Sequence, residues 1–134
     1  QAGLAFYDRM VDGLIKRGIT PVATLYAYDL PQALMDKYRG FLDRKVIDLY
    51  IKYVKTIFEH FKGRIKYYTP FNEPNLFHLD QEYIMGDPHL TDKETWHWLM
   101  HDVSMPVMKL IQMQKLDLIV QLAWFIQQHV IQRM

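Results

Sequence analysis

Hydrophobic positions along the first seventy residues alternate between two periods. Apolar side chains recur at three- and four-residue steps over residues 2–17 and again over residues 44–62, a spacing that predicts two amphipathic helices. Short apolar and aromatic runs at residues 21–26 and 65–70 predict buried β-strands. Gly18 and Gly63 stand where the two helices should end. The pattern therefore predicts helix, strand, helix and strand in that order, with a brief extra helix around residues 32–37.

A third long helix is predicted further along the chain. Thr91 to Glu94 has the spacing of a capping box, and apolar residues continue from it at helical steps over residues 93–112. Residues 75–89 show no period and predict a loop. Short strands that alternate with helices are typical of βαβ units and a parallel sheet, so we expect an α/β fold.

Composition narrows the function classes. The 134 residues suit one domain, and 16 Lys and Arg nearly cancel 15 Asp and Glu. The resulting net charge of +1 gives no electrostatic reason to expect nucleic acid or an anionic membrane as a partner. The absence of Cys excludes disulfides and cysteine-based metal sites. The chain opens at Gln1 without an initiator Met, so the lack of a visible signal peptide does not fix the compartment, and a cytoplasmic location is only weakly favoured.

The candidate chemistry lies directly after the second predicted strand, at Asn72-Glu73-Pro74. Side chains at the carboxyl ends of parallel strands are well placed to meet a ligand. A carboxyl group flanked by apolar neighbours loses hydration, stays protonated near neutral pH and can act as a general acid. The alternative is a strand-ending turn from which Glu73 points into solvent, and by spacing alone that alternative is the more common outcome.

Other candidate sites are weaker. His97 and His101 are four residues apart on a predicted helix and could face one metal ion, but no third ligand is evident. We therefore interpret them as ordinary helix histidines and predict neither a metal nor a cofactor. Trp96, Trp98 and Trp124 could stack on sugars, although aromatic residues at helical spacing are more often packing residues.

Three stretches carry a resemblance to a known family. They are "AGLAFYDRMVDGLIKRGITPVATLY" (residues 2–26), "DLPQALMDKYRGFLDRKVIDLYIKYVKTIFEHFKGRIKYY" (residues 29–68) and "FNEP" (residues 71–74). In this order and spacing they resemble glycoside hydrolase family 1, the retaining β-glycosidases with a (β/α)8 barrel. The resemblance covers residues 1–111 and implies a fragment of a TIM barrel, about units three and four of eight.

The resemblance also implies a function. Asn-Glu-Pro is similar to the family signature in which the Glu is the general acid/base and the Asn binds the sugar 2-hydroxyl, which assigns these roles to Glu73 and Asn72. The implied activity is hydrolysis of β-linked glucosides or related small sugars, with or without a 6-phosphate. No cofactor is implied.

Several positions depart from the family pattern. Ala27 stands where a sugar-binding His is usual, and Tyr28 where Trp is common. Arg39-Gly40-Phe41 replaces a usual Gly-Gly-Trp, and Pro70 replaces a Thr, which removes a backbone donor at a strand end. Losing the His removes a hydrogen bond that should strengthen in the transition state, so weaker activity is expected.

The second catalytic carboxylate is missing from these 134 residues. Retaining hydrolysis needs two carboxyl groups about 5 Å apart. The family nucleophile lies in a Glu-Asn-Gly motif that does not occur here, and Asp29 resembles a loop-shaping residue rather than a substitute. We therefore expect no turnover by this chain alone. The alternative is a non-catalytic sugar-binding or interaction protein built on barrel segments.

Size predicts association of the isolated chain. A (β/α)8 barrel needs roughly 250 residues. Two or three strands leave sheet edges unpaired, so self-association is expected.

The resemblance fails over residues 112–134, "QMQKLDLIVQLAWFIQQHVIQRM". Apolar residues there fit both a helix and a strand near residues 118–122, so the local signals conflict. We interpret residues 112–134 as a divergent tail, with out-of-frame or otherwise unrelated sequence as the hypothesis.

Overall fold

Helices and strands alternate along the chain. The computed structural model describes residues 2–73, 94, 97, 101–103, 105–113 and 117–118. Its elements are α1 (Ala2–Lys16), β1 (Val22–Thr24), α2 (Gln32–Tyr38), α3 (Arg44–His60), β2 (Tyr67–Thr69), α4 (Met105–Met113) and β3 (Asp117–Leu118). A 3-10 turn, Gly40–Leu42, joins α2 to α3. Residues 94 and 97 are also helical.

The strands form one parallel sheet in the order β1-β2-β3. Val22 lies opposite Tyr67, and Tyr67 lies opposite Asp117. Parallel neighbours require crossover connections, and here α2 and α3 lie between β1 and β2 along the chain, while α4 lies between β2 and β3. The predicted α/β class and parallel pairing are confirmed for this part of the chain.

Local sequence explains where the long helices begin and end. Gly18 and Gly63 adopt φ angles of 73° and 79°, a left-handed conformation that favours glycine and ends a helix. Asp43 begins α3, because its carboxylate accepts a hydrogen bond from the Lys45 backbone N–H at 2.7 Å.

The hydrophobic core lies between the helices and one face of the sheet. Tyr68 of β2 is fully buried, and its ring meets that of Phe58 from α3 at a centroid distance of 4.7 Å. The other buried apolar residues are Val11, Leu25, Tyr26, Phe41, Val46, Ile47, Tyr50, Val54, Phe61, Ile65, Phe71, Val103 and Val107. Since this set includes residues of α1, α3 and α4, all three helices pack on the same core.

The opposite face of the sheet is open among the described residues. Side chains alternate along a strand, so Val22 and Thr24 point away from the face that holds Tyr68. Val22 is 52% exposed, and the Thr69 hydroxyl donates to the Thr24 hydroxyl at 3.0 Å. The described helices therefore cover one face of the sheet only.

Element bounds differ slightly from the sequence predictions. Both predicted strands are three residues long rather than six, and the second long helix ends at His60 rather than at residue 62. β3 falls inside the divergent tail, where the sequence favoured neither helix nor strand. The predicted loop at 75–89 and the tryptophans at 96, 98 and 124 lie outside the described residues. None of the described helices is long and apolar enough to cross a membrane.

A cluster of charged side chains joins α1 to the end of α3. Both carboxylate oxygens of Asp8 contact His60 Nε2, at 2.9 and 3.0 Å, and Arg64 Nη2 lies 2.7 Å from Asp8 Oδ1. Arg64 Nη1 also contacts Asp12 at 3.1 Å. The hydrogen bond from Arg64 is the largest influence on Asp8 and holds the pKa of its carboxyl group below the ordinary value of 3.8, with His60 adding to the effect and desolvation opposing it.

The Asp8 contacts predict an acid-sensitive contribution to stability. A carboxyl group whose pKa is lower in the folded state stabilises the fold above its unfolded pKa, and this contribution is lost as the pH falls through the folded value. We expect the thermal midpoint to fall between pH 6 and pH 3, and the fall to be smaller in Asp8→Asn. Circular dichroism melts at both pH values measure this, with exposed Asp48→Asn as the matched control. An identical pH dependence in Asp8→Asn and Asp48→Asn would contradict the expectation.

Candidate active site

Asn72 and Glu73 lie on the loop that follows the carboxyl end of β2. The Asn72 backbone N–H donates to the Tyr26 carbonyl oxygen at 2.8 Å, which continues the pairing of β1 with β2 beyond the strands. Phe71, the residue before Asn72, is buried and packs against Phe41 and Tyr50. The backbone that leads into Glu73 is therefore anchored at Phe71 and Asn72.

A buried tyrosine supports the same loop from α3. The Tyr50 hydroxyl donates to the Pro70 carbonyl oxygen at 2.6 Å. Burial is the largest cause that raises the pKa of Tyr50 well above its ordinary value, so this hydroxyl remains a donor over the physiological pH range. The Pro70 position, which departs from the family pattern, is held by this side-chain contact.

The loop after β1 faces the candidate pair. Its turn is shaped by Asp29, whose carboxylate accepts a hydrogen bond from the Ala27 backbone N–H at 3.1 Å. This contact agrees with the loop-shaping role inferred for Asp29 and gives no support to a nucleophilic one. Ala27, at the position where the family usually has His, is exposed.

Tyr28 contacts Glu73 across the two loops. The Tyr28 hydroxyl lies 3.2 Å from Glu73 Oε2 and 3.3 Å from the Glu73 carbonyl oxygen. Asn72 Nδ2 lies 3.4 Å from the same Oε2. The structure thus brings the two predicted site residues together and adds Tyr28, which sequence reasoning had noted only as a departure. No sequence signal links positions 45 residues apart.

Burial and the contact with Glu73 both raise the pKa of Tyr28. Desolvation is the largest cause that raises the pKa of its hydroxyl, followed by the hydrogen bond to Glu73 and the charge of that carboxylate, while Asn72 lowers it. The phenol is therefore protonated near neutral pH and acts as a donor toward Glu73.

Glu73 itself is exposed, which corrects one expectation from the sequence. Apolar neighbours were expected to desolvate the carboxyl group and keep it protonated. In the part of the chain that the structure describes, the aromatic residues near it pack beneath the loop instead: Tyr26, Phe41 and Phe71 are buried in the core.

Two further features lie apart from the candidate pair. The rings of His97 and His101 are 4.6 Å apart, and among the described residues no third His, Cys, Asp or Glu joins them in a possible metal site. A cleft of about 360 Å³ between α1, the loop after β1 and α3 is lined by Tyr7, Asp29 and Tyr53 among others, but not by Asn72 or Glu73.

Comparison with known proteins decides the family. Residues 1–115 match the family model described as Glycosyl hydrolase family 1. The chain belongs to this family. Its architecture is therefore part of a TIM barrel, the fold of its structural neighbours.

Two family 1 relatives align with part of this chain, and this chain aligns with a small part of each of them. Beta-glucosidase 6 of Oryza sativa subsp. japonica is 47% identical over 75 residues, 56% of this chain and 14% of the relative. Aryl-phospho-beta-D-glucosidase BglC of Bacillus subtilis is 41% identical over 103 residues, 75% of this chain and 21% of the relative. This chain thus spans about a fifth or less of the length of these two glycosidases.

A solved family 1 structure supports the same relationship. A mutant rice beta-glucosidase, determined in a covalent complex with Glc, superposes with a TM-score of 0.70 at 30% identity. The match covers 88% of this chain and 29% of the rice protein. Most of this chain therefore has a structural counterpart within one family 1 enzyme.

Proposed function

We propose that this chain supplies the acid/base half of a retaining β-glycosidase site, with Glu73 as general acid/base and Asn72 as the contact for the sugar 2-hydroxyl. The observation that carries the proposal is the place of the Asn72-Glu73 pair, directly beyond the carboxyl end of β2 and tied to the loop after β1 by the Asn72 N–H. Parallel-strand barrels hold their catalytic groups at this end of the strands.

The proposed chemistry has two steps. In the first, Glu73 gives its proton to the glycosidic oxygen while a second carboxylate bonds to the anomeric carbon and the leaving group departs. In the second, Glu73 takes a proton from the water that attacks the anomeric carbon and releases the second carboxylate. The covalent Glc complex of the rice relative supports a covalent intermediate of this kind in the family.

We place the chain at about units three and four of the eight barrel units. The sequential order β1-β2-β3 with helices between the strands supports consecutive barrel units. Their place as the third and fourth rests on the resemblance of residues 2–26 and 29–68 to the family. The proposed substrates are small β-glucosides. The name of the rice relative and the aryl-phospho name of the Bacillus relative support glucosides without and with a phosphate, respectively.

We propose that the 134-residue chain by itself does not turn over. It contains no Glu-Asn-Gly motif to provide the nucleophile. We expect no release of p-nitrophenol from p-nitrophenyl β-glucoside above the rate in buffer. Turnover by this chain alone would contradict the need for an external nucleophile. The second candidate, a non-catalytic sugar-binding protein, requires that NMR titration with glucose and cellobiose detect binding to the 134-residue chain, and no detectable binding would contradict it.

A chimaeric barrel tests the role of Glu73. Residues 1–111 would replace the matching segment of a full-length family 1 β-glucosidase, which supplies the nucleophile. We expect turnover of p-nitrophenyl β-glucoside by the chimaera at saturating substrate and its loss in Glu73→Gln, since the amide cannot take the proton of the water that attacks in the second step. Glu59→Gln, on the exposed side of α3, is the matched control. A Glu73→Gln chimaera as active as the Glu59→Gln chimaera would contradict the proposal.

The same chimaera tests the missing sugar contact. Ala27 provides no side-chain donor where the family usually has His, and a hydrogen bond to a substrate hydroxyl can strengthen in the transition state. We expect Ala27→His to raise kcat/KM of the chimaera by about tenfold, the equivalent of one net hydrogen bond of about 1.4 kcal/mol. Ala27→Leu, which adds bulk without a hydrogen-bond donor, is the control. Equal kcat/KM values in Ala27→His and the starting chimaera would contradict the expectation.

We further propose that the divergent tail, placed at residues 112–134 from the sequence, is out-of-frame or otherwise unrelated sequence, with a junction close to residue 115, where the family match ends. The conflict between helical and strand signals supports this, although Asp117–Leu118 pairs with β2 as a third parallel strand. The encoding nucleotide sequence is the test. If no alternative frame continues toward a Glu-Asn-Gly motif, the tail is a divergent segment of the protein rather than an out-of-frame one.

A further inference from the structure

One contact of the candidate site is made by a residue that departs from the family pattern. Tyr28 stands where Trp is common, and its hydroxyl lies 3.2 Å from Glu73 Oε2. We propose that Tyr28 is a positioning residue for Glu73, which donates its hydroxyl proton to Oε2 and holds the carboxyl group at the carboxyl end of β2. The catalytic part of this inference rests on the proposed function of Glu73, whereas the contact itself does not.

Backbone geometry supports a specific pairing of the two residues. Tyr28 and Glu73 adopt φ angles of 66° and 41°, in the left-handed region that non-glycine residues rarely occupy. Such conformations persist only where the surrounding structure holds them, and they cluster at functional sites. The hydrogen bond from Asn72 N–H to the Tyr26 carbonyl brings the two loops together, since Asn72 directly precedes Glu73 and Tyr26 lies two residues before Tyr28.

The contact distinguishes the two oxygens of the Glu73 carboxyl group. Oε2 faces two donors, the Tyr28 hydroxyl and Asn72 Nδ2 at 3.4 Å. Among the described residues, no donor contacts Oε1. We therefore assign the transferable proton to Oε1: the Oε1–H bond breaks when the leaving oxygen is protonated, and it forms again when water is deprotonated.

The contact between Tyr28 and Glu73 is exposed and long. We therefore expect it to affect the position of the Glu73 carboxyl group rather than the free energy of unfolding. Hydroxyl-to-oxygen hydrogen bonds are most often about 2.7–2.8 Å, shorter than either contact of Tyr28. Among the described residues, the titratable group that faces Tyr28 from the loop after β2 is Glu73. The charged residue on the loop that carries Tyr28 is Asp29, whose carboxylate accepts a hydrogen bond from the Ala27 N–H. The raised pKa of Tyr28, caused first by burial and then by Glu73, agrees with a phenol that stays a donor.

The first test measures the contact in the 134-residue chain. Tyrosines labelled with ¹³C at Cζ are titrated by NMR, and the Tyr28 signal is the one absent from Tyr28→Phe. We expect Tyr28 to titrate above the pH of free tyrosine, and its midpoint to move to lower pH in Glu73→Gln but not in Glu59→Gln. A midpoint equal to that of free tyrosine, or one that Glu73→Gln leaves unchanged, would overturn the contact.

The second test measures positioning. Scalar couplings of the Glu73 side chain should report one rotamer in the unaltered chain and an average over rotamers in Tyr28→Phe. Tyr53→Phe, a half-exposed tyrosine on α3, is the control and should leave the couplings unchanged. If Tyr28→Phe also leaves them unchanged, Tyr28 does not position Glu73. Neither test needs turnover, so these results can fail independently of the proposed function. The proposed function alone would be refuted if the Glu73→Gln chimaera were as active as the Glu59→Gln chimaera.

Discussion

In the chimaeric barrel, Glu73→Ala is expected to lower kcat/KM for a β-glucoside with an alkoxide leaving group by roughly 10²–10⁴-fold, the range typical of general acid–base catalysis. An alkoxide is a poor leaving group and needs the proton that Glu73 would supply. A p-nitrophenolate or dinitrophenolate leaves without that help, so its first step should suffer much less. Steady-state kinetics with a matched series of leaving groups measures the difference.

The leaving-group series separates acid catalysis from structural damage. A substitution that merely distorts the site lowers kcat/KM for all leaving groups by a similar factor. Loss of the acid lowers it most for the poorest leaving group, so the dependence on leaving-group pKa becomes steeper. A uniform loss across the series would contradict an acid role for Glu73.

The second large effect is on stability. Phe41 is 0% exposed, and its ring contacts those of Tyr26, Tyr50 and Phe71 at centroid distances of 5.2, 5.5 and 6.0 Å. Replacing a buried Phe by Ala costs about 3–5 kcal/mol, a large part of the roughly 5–15 kcal/mol that stabilises an ordinary domain. We therefore expect Phe41→Ala to lose cooperative thermal unfolding. Because Phe71 precedes the Asn72-Glu73 pair, the same substitution should disorder the candidate site.

Phe6→Ala is the matched control for Phe41→Ala. Phe6 on α1 is 55% exposed, and exposed substitutions usually change the free energy of unfolding by no more than about 0.5 kcal/mol. Circular dichroism melts of the unaltered chain, Phe41→Ala and Phe6→Ala measure the difference in thermal unfolding. If Phe41→Ala and Phe6→Ala melt alike, the aromatic cluster around Phe41 is not the core of this fold.

The helices were predictable because their signals are local. In α3, Val46, Tyr50, Val54 and Phe58 recur at steps of four residues, and all four are buried. The end of this helix was also predictable from a local signal, because Gly63 is the residue type that favours the left-handed conformation found there. The place of the candidate pair beyond a strand followed from the alternation of strands and helices.

The contacts between the loops were not predictable from local pattern. Tyr28 contacts Glu73 only because β1 and β2 pair in one register. Both residues have left-handed backbone conformations, and neither is a glycine, the residue type that would have predicted such a conformation. The exposure of Glu73 depends on which groups cover it, and that is a property of tertiary packing. β3 escaped prediction because residues 117–122 fit two periods equally well.

The most direct test of Glu73 as the acid/base of a retaining site is to identify the product that the Glu73→Ala chimaera forms from p-nitrophenyl β-glucoside in azide. Without Glu73, water lacks its base, but azide needs none and is not repelled by a carboxylate. Azide should bond to the anomeric carbon as the bond to the nucleophilic carboxylate breaks, so two inversions give β-glucosyl azide. ¹H NMR distinguishes the anomers. We expect faster turnover in azide with β-glucosyl azide as the product, whereas no azide adduct, or the α-anomer, would contradict the acid/base role of Glu73.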